Sequence, residues 1–264
     1  MKQTIYSLLA LIALNACSSS TTTENESKDQ EEDWIILFDG TTTDGWRAYN
    51  GDELPPGWVI KDGELTYDTE LGLEQDYTGG KDIIYGAEAF ENFELYLEWK
   101  LPKGGNSGIF YHLTEGIPDS GPSGLAPEYQ LIDDENYASM HDLTSYNKSM
   151  GETENLDQLQ DWQKTGSDYA MTPADQSQVV LNPVGEWNSS KIVFTPEKVE
   201  HWLNGKVVVS FVPWSKEWEA KKNSGKWSNA PDYAKAKKGY IGLQDHASPI
   251  WFRNIKIKKL RIQN

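Results

Sequence analysis

The chain has 264 residues, room for one large domain or two small ones, and carries 24 Lys and Arg against 41 Asp and Glu for a net charge of −17. That sign repels polyphosphate and argues against nucleic acid as a partner. Hydrophobic residues at 38% exclude wholesale disorder, and a single cysteine excludes an intramolecular disulfide. The 11 Trp and 13 Tyr suit either β-rich packing or flat platforms for sugar rings, and composition does not choose between them.

At the N-terminus, Lys2 precedes an apolar run from Ile5 to Leu14 that ends in Leu14-Asn15-Ala16-Cys17. The run is too short to span a bilayer, and a basic start, a short apolar stretch and a small residue before the cut mark a secretory signal. It resembles a bacterial lipoprotein signal peptide, which implies removal of residues 1–16 and lipidation of Cys17. The other reading is an ordinary signal peptide, with Cys17 left as a free thiol. Ser18 to Asp33 holds no apolar residue and can bury nothing, so 17–33 reads as a tether. The expected product is exported and anchored to the outer membrane through lipid alone.

From Trp34 to Asn264 no linker or fixed-period repeat interrupts the composition, and 34–264 reads as one domain. Phe93, Leu95, Leu97, Trp99 and Leu101 alternate with Glu94, Tyr96, Glu98 and Lys100, the period-two signature of a half-buried strand. Ile109, Tyr111 and Leu113 alternate with Phe110 and His112 directly afterwards. Asn204-Gly205 joins the runs Lys198–Leu203 and Lys206–Val212, and that dipeptide is the strongest short hairpin signal because both turn residues need positive φ. Helical signals are confined to Lys216–Asn223, capped by Ser215, and a turn or two over Asp232–Lys238. The expectation is an all-β fold, two antiparallel sheets packed as a sandwich, with long loops and one or two short helices. Asp134–Ser177 lacks periodicity, and so long a loop is usually functional or disordered; it reads as a lid.

Four places hold residues that do more than pack. Gly104-Gly105-Asn106-Ser107-Gly108 lets a ligand approach backbone amides, with Asn106 and Ser107 offering polar atoms, or is a plain turn. In Glu128-Tyr-Gln-Leu-Ile-Asp133, strand parity puts Glu128 and Gln130 on one face, where they bind sugar hydroxyls, supply a base against an apolar wall, or simply meet solvent. In the third, Gln244, Asp245 and His246 precede a strand on which Arg253 shares the parity of Ile255 and Ile257 and points inward, needing an acceptor or a ligand. In the fourth, Trp187 of Gly185-Glu-Trp-Asn188 is a stacking platform or a core residue. Asp133-Asp134-Glu135 offers oxygens of the kind calcium takes, but there is no twelve-residue calcium loop and no paired-histidine spacing, so neither metal nor cofactor is predicted. Phosphate-loop and nucleophile-elbow signatures are missing from the sequence.

In this order, Leu37-Phe-Asp-Gly40, Trp58-Val-Ile-Lys-Asp-Gly-Glu-Leu65, Gly105-Asn-Ser-Gly-Ile109, Glu128-Tyr-Gln-Leu-Ile-Asp133, Gly185-Glu-Trp-Asn188, His201-Trp-Leu-Asn-Gly205 and Gly242-Leu-Gln-Asp-His246 with Phe252-Arg-Asn-Ile255 make the chain resemble the 3-keto-disaccharide hydrolase domain family. The resemblance covers nearly all of the folded part. It departs at Ala247-Ser248, where members often carry glycine. It implies a concanavalin A-like jelly roll and a carbohydrate substrate, a 3-keto glycoside, whose ketone acidifies the C2 hydrogen and makes the C1 substituent a β leaving group. On that reading Glu128 or His246 is the base and the other the acid. Arg253, with Gln130 or Asn106, stabilises the enolate, while His112 and Trp187 hold the sugar. The competing expectation is a carbohydrate-binding lipoprotein without catalysis, since fold does not fix function. The catalytic reading requires Glu128, His246 and Arg253 to converge on one hollow.

Overall fold

The structure, a computed structural model, describes residues 1, 34–118 and 120–261. The expected signal peptide, Cys17 and the expected tether therefore lie outside the described residues, apart from Met1. Thirteen strands are formed among the described residues: β1 (Ile35–Phe38), β2 (Trp46–Ala48), β3 (Trp58–Lys61), β4 (Glu64–Tyr67), β5 (Ile83–Tyr85), β6 (Phe93–Lys100), β7 (Asn106–Leu113), β8 (Glu128–Ile132), β9 (Asn188–Phe194), β10 (Val199–Leu203), β11 (Lys206–Phe211), β12 (Tyr240–Leu243) and β13 (Ile250–Lys259). The larger sheet runs β11-β10-β9-β6-β13-β4-β3, with β1 also paired to β13, and the smaller runs β2-β5-β12-β7-β8. All pairings are antiparallel.

Alternation in the sequence becomes the inner face of each sheet. Leu95 and Leu97 of β6 and Ile255 and Ile257 of β13 are fully buried in one core with Ile109, Tyr111, Tyr129, Leu131 and Leu243 of the smaller sheet. Burying each such side chain contributes ~1.5–3 kcal/mol, so the two apolar faces hold the sheets together without a crosslink. At the β10–β11 turn, Asn204 and Gly205 both have positive φ, 46° and 82°. That backbone twist matches the twist of the flanking strands.

Among the described residues there are four short α-helices rather than one or two: α1 (Thr69–Glu74), α2 (Tyr137–Met140), α3 (Thr144–Ser149) and α4 (Lys216–Ser224). The Asp68 carboxylate caps α1 by accepting from the Glu70 and Leu71 amides, and Ser215 caps α4 by accepting from the Trp218 amide. Asp232–Lys238 forms turns instead of a helix. Its Tyr233 is buried between Trp218 and Trp227 in a satellite cluster, so ring stacking rather than helical periodicity fixes this stretch.

Candidate functional site

The pleat of β7 and β8 turns Asn106, Gly108, Glu128, Gln130 and Ile132 away from the core, in the register Gly108↔Gln130 and Asn106↔Ile132. Over this outer face lies a cavity of about 610 Å³, a volume usual for small-molecule sites. Its floor is Asn106, Glu128, Gln130 and Gln244; its wall comes from the aperiodic Asp134–Ser177 segment through Tyr137, His141, Tyr146, Gln163 and Tyr169; Lys226 and His246 complete it. The long segment docks by its backbone. Gly166 N donates to Gln130 O, Gln130 N to Ser167 O and Tyr169 N to Glu128 O, so residues 166–169 continue the sheet beyond β8 and aim Tyr169 over Glu128.

Glu128 is the buried carboxyl of the cavity. It is 3% exposed, and its Oε1 has no hydrogen-bond partner. Burial pushes its carboxyl up to about 8; the Lys226 charge pulls against this, the Asp82 and Asp168 charges add to it, and a hydrogen bond with Gln244 opposes it. Across the cavity, Lys226 Nζ donates to Tyr146 Oη at 3.0 Å and lies 3.5 Å from Tyr169 Oη, and the two phenol oxygens are 2.5 Å apart. Lys226 also rests 4.5 Å from the centre of the Tyr169 ring and 4.6 Å from that of Trp227. Burial and the neighbouring Tyr146 raise the Tyr169 phenol, which stays protonated. Gln130 Nε2 donates to Asn106 Oδ1 at 3.4 Å, and Asn106 Nδ2 to Tyr137 Oη at 3.3 Å, a polar floor suited to sugar hydroxyls. His246 is exposed at the mouth, and desolvation, followed by the like charge of His141, lowers its pKa.

Five of the ten residues expected at the site thus converge on the cavity: Asn106, Glu128, Gln130, Gln244 and His246. The other five do not line it. Arg253 sits on the outer face of the other sheet, its Nε 2.6 Å from Glu98 Oε2 and its guanidinium carbon 4.0 Å from the centre of the Trp187 ring. Arg253 does not share the inward face of Ile255 and Ile257, as strand parity predicts, because β13 has a bulge: Asn254 takes φ 52°, and the pairing with β6 shifts between Arg253 and Lys256. One extra residue returns Ile255 to the core and leaves Arg253 outside. Trp187 belongs to the same outer face. Ser107 lies on the opposite side of β7 from Asn106, and its Oγ donates to Gln244 O. His112, at φ 55°, is wedged in the interior with Nε2 on Glu91 O at 2.8 Å and its ring centre 4.1 Å from that of Phe194. Burial lowers its pKa to about 4, which keeps it neutral. Asp245 braces a loop, accepting from Tyr77 Oη at 2.6 Å and Ala247 N at 2.9 Å.

The glycine-rich stretch has a more specific use than ligand approach. A Cβ on Gly108 would overlap the Glu128 carboxylate at Oε1, so the glycine makes room for the acid on the neighbouring strand. Gly108→Ala should displace that carboxyl and, since a misplacement of ~1 Å can cost ~10²-fold, lower kcat on that order with little change in KM; steady-state kinetics beside a thermal melt checks this. In Asp133-Asp134-Glu135, Asp133 accepts from the Gly104, Glu135 and Asn136 amides and Asp134 from the Thr165 amide, so both carboxylates brace the backbone. Among the described residues no group of three His, Cys, Asp or Glu side chains has the placement of a metal site.

Sequence reasoning missed Lys226, Tyr146 and Tyr169. Lys226 follows Lys216, Lys221 and Lys222 in a lysine-rich surface stretch, and the tyrosines lie where no periodicity marks a facing side. Only the flanking Trp227 hinted at a partly buried cation.

A two-sheet sandwich bearing on one sheet a polar, sugar-sized cavity, with a buried carboxyl opposite a lysine, has the build of a carbohydrate-active protein. Comparison with known proteins agrees. The model of the 3-keto-alpha-glucoside-1,2-lyase-like domain family matches residues 33–258, and the chain belongs to that family. It is 35% identical to a curated 3-keto-disaccharide hydrolase of Bacteroides thetaiotaomicron, over 86% of this chain and 78% of the relative. Among solved structures, a putative glycosyl hydrolase of Parabacteroides distasonis superposes with a TM-score of 0.72 at 37% identity, covering 86% of this chain and 94% of the other. A second from the same organism gives 0.58 at 28% identity, covering 86% and 99%.

Proposed function

We propose that this protein cleaves the glycosidic bond of 3-keto glycosides by β-elimination followed by hydration. The observation that carries the reading is the Glu128 carboxyl, buried, with one oxygen unpartnered and its pKa pushed up to about 8 in a sugar-sized cavity. A carboxylate so poised near the working pH is a competent general base. In the proposed sequence Glu128 takes the C2 proton, made acidic by the C3 ketone. The electron pair forms an enolate whose oxygen faces Lys226 and the Tyr146–Tyr169 pair, donors already in place before charge develops. The C1–O bond then breaks, and the proton held by Glu128 leaves on the aglycone oxygen. Water adds to the unsaturated sugar: His246 at the mouth takes the proton of the incoming water as its hydroxyl bonds to C1, and the re-formed enolate takes that proton back from His246 at C2, which leaves the histidine neutral. Lys226 thereby takes the role that the family resemblance implied for Arg253. Lipid anchoring at Cys17 and export remain part of the proposal; mass spectrometry of the mature N-terminus tests them.

The decisive experiment incubates purified protein with a native disaccharide and its 3-keto counterpart and follows release of free sugar. Cleavage of the 3-keto compound alone is expected. Cleavage of neither, with tight binding of the native sugar, would overturn the reading in favour of a binding module.

A further inference from the structure

Asp82, just before β5, is a mostly buried carboxyl that the proposed reaction does not use. Strand register fixes its place. Ile83 packs into the main core and Ile84 into a smaller cluster with Phe110 on the outer face of the sheet, so alternation puts Asp82 on that outer face. Leu243 of β12 pairs with Ile83 on one side and with Ile109 of β7 on the other, so the next residue, Gln244, stands between Asp82 and Gly108. The Gln244 backbone N donates to Gly108 O at 2.9 Å, and the Glu128 carboxyl fills the space that Gly108 leaves. One row therefore crosses the face: Asp82, Gln244, then Glu128 lying over Gly108. Asp82 and Gly108 are two strand spacings apart, roughly 10 Å at the backbone. The Gln244 side chain hydrogen-bonds Glu128, and its Oε1 is buried without a partner. A neutral amide cancels no charge. The Asp245 amide donates to Asp82 Oδ1 at 2.9 Å, and among the described residues no cation offsets that carboxyl. Burial pushes it up to about 7; the Asp245 amide bond pulls against the rise and the Asp245 charge adds to it.

We infer that Asp82 is a positioning residue of this site: its negative charge, acting across Gln244, keeps Glu128 a stronger base than burial alone would make it. This role rests on Glu128 being the base. A like charge close by disfavours ionisation, and the effect falls only with the inverse of distance, little screened where the path runs through protein instead of water. Asp82 ionises at lower pH than Glu128, so its charge is largely present when Glu128 gives up its proton. From the opposite wall Lys226 pulls the other way. The base is thus poised between an anion in the sheet and a cation across the cavity. Asp82 does not line that cavity, so it acts through Glu128 and not on the sugar. Asp168, Tyr169 and Tyr233 also face Glu128, Tyr49 and Asp245 face Asp82, and His246 stands at the mouth. All of these stay in place when Asp82 alone is changed, and a shift on its replacement reads its own charge.

Asp82→Asn removes the charge and keeps an oxygen for the Asp245 amide. In steady-state kinetics on a 3-keto disaccharide, the ascending limb of its pH–rate profile should move to lower pH by roughly half a pH unit or more, with KM little changed. Asp82→Glu, which restores the charge, should keep the limb near its wild-type position. Side-chain carboxyl NMR of isotope-labelled full-length protein reads the same coupling without turnover. Glu128 should titrate at lower pH in Asp82→Asn and, by reciprocity, Asp82 at lower pH in Glu128→Gln. The second arm stands even if Asp82→Asn does not fold. A reduced rate with an unmoved limb, a limb moved to higher pH, or two carboxyls that titrate independently would each overturn the proposal and leave Asp82 as a brace for the Asp245 loop. Coupled titrations in a wild type that leaves the 3-keto sugar uncleaved would support the coupling and overturn only the catalytic reading of Glu128.

Discussion

Glu128→Gln should lower turnover of a 3-keto glycoside by ~10²–10⁴-fold, the usual contribution of a general base, and at the same time make the protein harder to unfold at alkaline pH. The second half follows from linkage. Between its ordinary value of 4.5 and its folded value of about 8, the carboxyl holds a proton in the folded state that the unfolded state releases. Its contribution to stability is therefore complete below about 4.5, declines as the pH rises through that window, and is lost above about 8. At ~1.4 kcal/mol per pKa unit, the stake is of the order of a few kcal/mol. A glutamine fills the same volume without ever having to ionise. Melts of wild type and variant should nearly coincide at pH 4 and separate at pH 9, with the variant higher. A variant less stable at both pH values would show that the acid is held charged and paired. The expected outcome, a variant higher at pH 9, makes the site one of the places where a fold gives up stability for reactivity.

The legible parts of this protein are those whose information is local. The alternation of Phe93–Lys100 appears as strict alternate burial along β6. Asn204-Gly205 makes its turn as the dipeptide demands, and Glu128-x-Gln130 presents both polar groups to one cavity as the pleat requires. The failures are of two physical kinds. Arg253 was misplaced by a single bulge, because side-chain direction has period two and one inserted residue inverts everything before it. Lys226, Tyr146 and Tyr169 were invisible because three stretches of chain, separated by up to 80 residues, meet only in the folded molecule. Nothing periodic marks any of them. His112 shows the converse: a residue type that invites a catalytic reading but is packed among Phe93, Tyr111 and Phe194 and kept neutral by burial.

Lys226→Met tests whether the lysine took over the electrostatic role first expected of the arginine. Methionine keeps much of the length and the apolar stem packed on Tyr169 and Trp227 while removing the charge. If the enolate oxygen faces Nζ, kcat should fall by ~10²–10³-fold, the range seen when one preorganised donor to a developing oxyanion is lost. A second readout separates this from loose packing. The Lys226 charge opposes the rise of the Glu128 pKa, so its removal should carry the ascending limb of the pH–rate profile to higher pH, because the base then ionises later. Lys226→Arg, which keeps the charge, should hold that limb near its wild-type position even if kcat falls through altered geometry. Arg253→Gln, on the far sheet, should leave both the rate and the limb where they are. A Lys226→Met enzyme with an unmoved limb and near-normal kcat would mean that the Tyr146–Tyr169 pair alone faces the reacting oxygen and that the lysine serves only to hold the two phenols together.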